Sequence, residues 1–151
     1  MTKVIVSENQ SIITFNNIPA SYENSFICNI FDETADAGIC IDMITQSPAT
    51  SDEISMGFTF ADGDMPKALA IIKKHDKDGV SQPLVSCGNV KITVKSQEMV
   101  EGAGFASKIF SVLKTLDILP LLVATGLDEI SLLVYESSSV DLERELKKVF
   151  A

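Results

Sequence analysis

Residues 15–46 read FNNIPASYENSFICNIFDETADAGICIDMITQ, and the fold follows from the chain writing the same order of elements a second time. Phe26, Ile27, Ile30, Phe31 and Ala35 recur at spacings of three and four, which predicts a helix with one buried face. Asn24 or Ser25 is the expected N-cap and Gly38 the expected C′ stop. Upstream, SIITFNNI (residues 11–18) is apolar and β-prone. Downstream, Cys40 to Gln46 and Ile54 to Phe60 read as strands joined by the turn-rich SPATSDE, a hairpin. Asp64 is placed to cap a helix with Pro66 in its first turn and Ala68, Leu69 and Ile72 on one face. Pro83 to Cys87 reads as a closing strand. The order is β-α-β-β-α-β.

From Asn89 to Phe150 the order returns. NVKITVKS supplies a strand, and FASKIFSVLKTLD a helix with Phe105, Ile109, Val112, Leu113 and Leu116 inward. Strands are expected near Leu121 to Thr125 and Ile130 to Tyr135, and Leu142, Leu146, Val149 and Phe150 mark a last helix. Ile30-Phe31 matches Ile109-Phe110, GICIDMIT matches DILPLLVA, Glu53-Ile54-Ser55 matches Glu129-Ile130-Ser131, and Lys73-Lys74 matches Lys147-Lys148. The second copy stops one strand short. KVIVS (residues 3–7) belongs to neither copy, so it is expected to complete the second sheet. The expected fold is α+β: two interlocked ferredoxin-like (βαββαβ) domains, residues 11–87 and 88–151, each an antiparallel sheet with helices on one face.

Composition excludes several functions. Among 151 residues, 12 basic against 21 acidic residues give a net charge of −9, which repels nucleic acid and anionic membranes. The aromatic content of 7% and the absence of tryptophan argue further against base stacking on an open sheet. Arg144 is the single arginine, so an arginine clamp on phosphate is not expected. No apolar run approaches the ~18 residues of a membrane span, and the N-terminus lacks the pattern of a cleaved leader. Cys28, Cys40 and Cys87 are odd in number and widely spaced; they are expected as small buried hydrophobes in a reducing cytoplasm. Asp62-Gly63-Asp64 reads as a turn and helix cap, since no third ligand supports a metal. Gly102-Ala103-Gly104 lacks the third glycine of a nucleotide loop, and His75 closes a helix among lysines. No catalytic residue, metal or cofactor is expected.

The stretch ADAGICIDMITQ followed by ISMGFTF resembles the first ACT domain of bacterial aspartate kinases. GFASKIFSVLKTLDI with ATGLDEISLLV resembles their second. The resemblance runs from Val4 to Phe150, and in that family too the second domain borrows a strand from the segment before the first. It implies a regulatory, non-catalytic chain that binds an amino acid, lysine or threonine. It implies either a homodimer or assembly with a separate kinase chain, since the kinase nucleotide motif is absent. The alternative is a structural or dimerisation module that senses nothing.

The same resemblance locates a site. An α-carboxylate can be held by backbone N–H groups at the start of the first helix, at Asn24 and Ser25, with Glu23 supplying charge for the ammonium. The opposing wall would come from Asp42, Met43, Ile44 and Gln46, the last standing where the family has a ligand-contacting glutamine. In the second copy Ala103, Gly104, Leu122 and Thr125 are the matching positions. Ala20-Ser21-Tyr22-Glu23 replaces the family's Asp-x-Pro-Gly turn, and Ala124-Thr125-Gly126-Leu127 replaces a more polar run.

Overall fold

The structure, a computed structural model, describes residues 1–19, 22–47, 52–76 and 78–151, the side chains of Glu23 and Asn24 excepted. Ala20 and Ser21, most of the SPATSDE turn and Lys77 lie outside the described residues. The chain is α+β, running β1 (Lys3–Pro19), α1 (Glu23–Asp36), β2 (Ile44–Gln46), β3 (Glu53–Ala61), α2 (Met65–His75), β4 (Leu84–Lys95), α3 (Glu98–Glu101), α4 (Phe105–Thr115), β5 (Leu122–Thr125), β6 (Glu129–Tyr135) and α5 (Glu136–Val149). Hydrogen bonding orders the strands β2-β3-β1-β4-β6-β5. The residues divide into two compact units, Gln10–Cys87 and the pair Met1–Asn9 with Gly88–Ala151.

In Gln10–Cys87, β3 pairs antiparallel with β1 on one side, Ile13 opposite Phe58, and with β2 on the other, Ile44 opposite Phe58. Strand alternation puts Ile13, Phe15, Met56, Phe58 and Phe60 on one face, where Phe26 and Ile30 of α1 and Ala68 and Ile72 of α2 cover them. Phe58 sits at the centre, its ring 6.3 Å from Phe15, 5.5 Å from Phe31 and 5.8 Å from Phe60. The other unit repeats the plan. Val90, Ile92 and Val94 of β4 and Ile130, Leu132 and Val134 of β6 face Phe105 and Ile109 of α4 and Leu142 and Leu146 of α5. Val4 and Val6 pack against this second cluster, and Thr2 donates a hydrogen bond to Ser96 at 2.9 Å.

The expected strands 3–7 and 11–18 are one continuous strand, β1, and 83–87 and 90–95 are likewise joined in β4. Each changes unit at a left-handed residue: Asn9 (φ 56°) ends one segment and Gly88 (φ 70°) begins another. That conformation turns a strand locally without ending it, and glycine or asparagine adopts it at least cost.

Several local expectations are corrected. The helix α1 starts at Glu23, ahead of the expected caps; its N-cap is Tyr22, whose side chain makes no capping bond. Ser25, inside the first turn, instead donates its hydroxyl to the Tyr22 carbonyl at 2.9 Å. Asp64 precedes α2 but makes no side-chain cap, because residues 62–64 form a 3-10 turn in which Asp62 accepts from Ser11 at 2.6 Å. Cys40–Gln46 is strand only over Ile44–Gln46; the residues before it touch β3 irregularly, through Thr59. The three cysteines are exposed and unpaired rather than buried: Cys28 lies on the outer side of α1, Cys40 precedes β2 and Cys87 lies in β4.

Gly38 behaves as expected. At φ 74° it follows α1, its N–H bonding Ala35 while Ile39 N–H bonds Thr34. After α4 the matching position is Asp117, also left-handed at φ 53°, with Ile118 N–H bonding Leu113.

Candidate functional site

In the first unit, β1 delivers the chain to α1 at one end of the sheet. Tyr22, the N-cap of α1, makes no side-chain capping bond, so among the described residues no side chain caps the leading N–H groups, which stand with the helix dipole behind them and suit an anion. Ser25 is exposed there, and the backbones of Glu23 and Asn24 are helical. Gln46 is exposed at the end of β2, opposite Met56, which in turn lies opposite Phe15 of β1. That row is four residues from Pro19, the last residue of β1. Asp42 belongs to another part of the sheet. Its N–H donates to Thr59 O at 2.9 Å, and Thr59 lies opposite Ile12, roughly 20 Å along β1 from Pro19. Met43 is buried and bound twice to Thr59, N–H to Oγ1 at 2.9 Å and O to N–H at 3.0 Å, so its backbone is already satisfied. Ile44 is exposed on the edge strand.

The second unit repeats this placement. Ala103 and Gly104 are exposed at the start of α4, where Gly104 takes φ 95° and no side chain caps the helix. Thr125 lies opposite Ile130, and Ile130 opposite Val94, near the end of β4. Leu122 is buried, opposite Leu133 and three residues back from Thr125. Within each unit, therefore, the helix start and the last strand residue, Gln46 or Thr125, share a sheet end. Asp42 and Leu122 stand away from it.

Two polar clusters beside these loops escaped sequence reasoning. Asp76, buried after α2, accepts from the Tyr22 hydroxyl at 3.1 Å, Val80 N–H at 3.0 Å, Ser81 N–H at 3.0 Å and the Ser81 hydroxyl. Burial alone would raise its carboxyl, but the Ser81, Tyr22 and Val80 hydrogen bonds outweigh it and hold the group below the ordinary aspartate value. Burial and the same carboxylate push the Tyr22 phenol up. In the second unit Ser96 receives Glu98 N–H at 3.3 Å, starting α3, and its own N–H bonds Asp128 O at 2.8 Å. The only sequence signal for either was a polar residue beside a helix end. The partners of Asp76 come from 54 positions before it as well as from the next turn.

His75 bridges helices, its Nε2 2.8 Å from Glu33, which Lys74 also meets at 2.8 Å. The Lys74 and His75 hydrogen bonds hold the Glu33 carboxyl below its ordinary value. Among the described residues no group of three or more His, Cys, Asp and Glu is placed to hold a metal, and no helix is long and apolar enough to cross a membrane.

No family model matches the chain. It is 26% identical over 124 residues to an aspartokinase of Geobacillus stearothermophilus and 24% identical over 139 residues to one of a Bacillus species. It spans about a third of the length of these curated relatives, 30% and 33%. Among solved structures, the ligand-free regulatory subunit of aspartate kinase from Thermus thermophilus superposes with TM-score 0.88 at 18% identity, over 98% of this chain and 97% of that one. A structure of aspartokinase alpha and beta subunits gives 0.82 at 24% identity, over 97% and 96%. Aspartokinase III of E. coli in complex with lysine and aspartate gives 0.70 at 16%, over 98% and 33%. Over nearly its whole length this chain has the fold of the regulatory subunits and regulatory regions of aspartate kinases.

Proposed function

We propose that the chain is a non-catalytic, ACT-type regulatory protein that binds a free amino acid and adjusts the activity of an aspartate kinase. The observation that carries this reading is the end-to-end superposition on a regulatory subunit, covering 98% of one chain and 97% of the other. Residues 11–87 and 88–151 are taken as the two ACT domains, with strand 3–7 serving the second. Lysine is the first effector to test, because a protein of this fold is solved in complex with it, and threonine the second.

The α-carboxylate would bind the uncapped start of α1 at Asn24 and Ser25, with Glu23 meeting the ammonium. The Gln46 amide would contact the ligand from the strand end. Ala103, Gly104 and Thr125 would form the weaker counterpart. Ile44 and Leu122 are assigned to the supporting strands, and Asp42 and Met43 to the segment that leads into β2. A homodimer, or assembly with a kinase chain as in the solved alpha and beta subunits, would transmit the change by favouring one packing over another. The exposed, unpaired cysteines suit a reducing cytoplasm.

Titration calorimetry of the chain with lysine and threonine tests the reading. Binding at millimolar concentration or tighter, weakened several-fold by Gln46→Ala, is the expected result. If neither binds while the protein stays a stable oligomer, sensing is lost and the structural module is the better account.

A further inference from the structure

The two helix pairs of the repeat are closed differently. In the first unit Glu33 of α1 reaches Lys74 and His75 of α2, so an ionic contact spans the pair. The match of Ile30-Phe31 with Ile109-Phe110 carries Glu33 onto Val112, and the match of Lys73-Lys74 with Lys147-Lys148 carries His75 onto Val149. Between α4 and α5 the bridging pair is thus replaced by two valines, and both line an open groove of about 330 Å³.

The apolar part of the groove's lining is Val112, which is buried, Leu116, and the half-exposed Val149. The polar part is Lys108, Ser111, Thr115 and Glu145. Glu145 is already matched by Lys148 at 2.7 Å and Arg144 at 3.4 Å, and the Thr115 hydroxyl donates to Ser111 O. Lys108 has no ion pair among the described residues, and the Ser111 hydroxyl no hydrogen-bond partner. They stand three residues apart on α4, one turn of the same helix face. An unmatched ammonium and a hydroxyl beside a branched-aliphatic lining are complementary to a carboxylate on a short apolar chain, and the volume lies in the range of small-ligand sites.

We infer that the α4/α5 groove binds a short branched-chain aliphatic carboxylate, its acid group on Lys108 and Ser111 and its chain on Val112, Leu116 and Val149. The site lies wholly in the second unit and is separate from the α1 site proposed above.

The test is a titration of the full ¹⁵N-labelled chain, followed by amide shifts, with 4-methylpentanoate, leucine and 3-methylbutylamine. Saturable shifts in Phe105–Thr115 and Glu136–Val149 are expected with 4-methylpentanoate at millimolar concentration and not with the amine. Lys108→Gln, at an exposed position, should weaken them about tenfold. Val149→Phe, also at an exposed position, should fill the groove and remove them. A matching response to leucine extends the class to amino acids, and a response to 4-methylpentanoate alone restricts it to simple acids; either supports the site. The inference is overturned if no acid gives saturable shifts, if the amine acts equally, or if Lys108→Gln changes nothing. It is also overturned if sedimentation shows a second copy covering this face, with the association lost in Val149→Asp.

Discussion

Asp76→Asn is expected to destabilise the protein in a way that depends on pH. The carboxylate is 7% exposed and accepts four hydrogen bonds, two from the buried Ser81. An amide keeps one acceptor oxygen and turns its NH2 toward donors; since Val80 N–H and Ser81 N–H bond different carboxylate oxygens, one of these two backbone donors is left without a partner. Each buried donor left unmatched costs about 1–3 kcal/mol, so a loss of about 3 kcal/mol is expected at neutral pH. For a chain of this length that is roughly 6–12 °C in Tm. The folded-state carboxyl lies below its unfolded value, so the unfolded chain binds the extra proton as pH falls. The stabilisation is fully present above the unfolded aspartate value, about 4, and is lost as pH falls through the lower folded value. Urea denaturation of both proteins at pH 7, 5.5, 4 and 3 should show a constant gap between the first two and a shrinking one below. A gap that is unchanged down to pH 3, or under 0.5 kcal/mol at pH 7, would falsify the reasoning.

Two further substitutions probe the packing and the backbone. Phe58→Ala removes a ring that is 1% exposed and faces three other phenylalanines, and should cost about 3–5 kcal/mol in the same urea assay, a loss under 1 kcal/mol contradicting the central placement of that ring. Asp117→Gly relieves a left-handed backbone after α4 and should raise stability by about 0.5 kcal/mol, the relief slightly exceeding the added freedom of the unfolded chain; a loss of stability would show that the aspartate side chain contributes there.

Much of the architecture was legible because the repeat states each element twice. Ile30 of α1 and Ile109 of α4 are both buried, and Glu53-Ile54-Ser55 and Glu129-Ile130-Ser131 both begin a strand. Periodicity reports which face is buried, and tertiary packing here agrees with it. It does not report where a helix begins: Asn24 and Ser25 are good caps by residue type, yet Tyr22 takes the N-cap, its ring packed 5.0 Å from Phe26 and its hydroxyl on Asp76. A distant partner overrode a local preference. The run Cys40–Met43 likewise reads as strand, while the backbone there meets β3 only at Thr59, through two backbone hydrogen bonds and one to the Thr59 hydroxyl, without a continuing ladder. Cysteine burial failed because the outer sides of α1 and β4 tolerate small apolar groups, which composition alone does not distinguish from core. The candidate site was legible as a helix start and a strand end; the Asp76 cluster that fixes the adjoining loop was not, since its members have no shared spacing.

The passage of β1 from one unit to the other at Asn9 bears on how the protein is made. Residues 3–9 are synthesised before every residue they pack on, because Val4 and Val6 meet a cluster that begins at Val90. Gln10–Cys87 is complete much earlier, so during synthesis it can fold with a β-prone, half-apolar strand still waiting for its sheet. This segment, translated ahead of the cluster it packs on, is thus among the later parts to dock, and its exposure on the ribosome lasts at least until the residues from Val90 to Leu146 have been made.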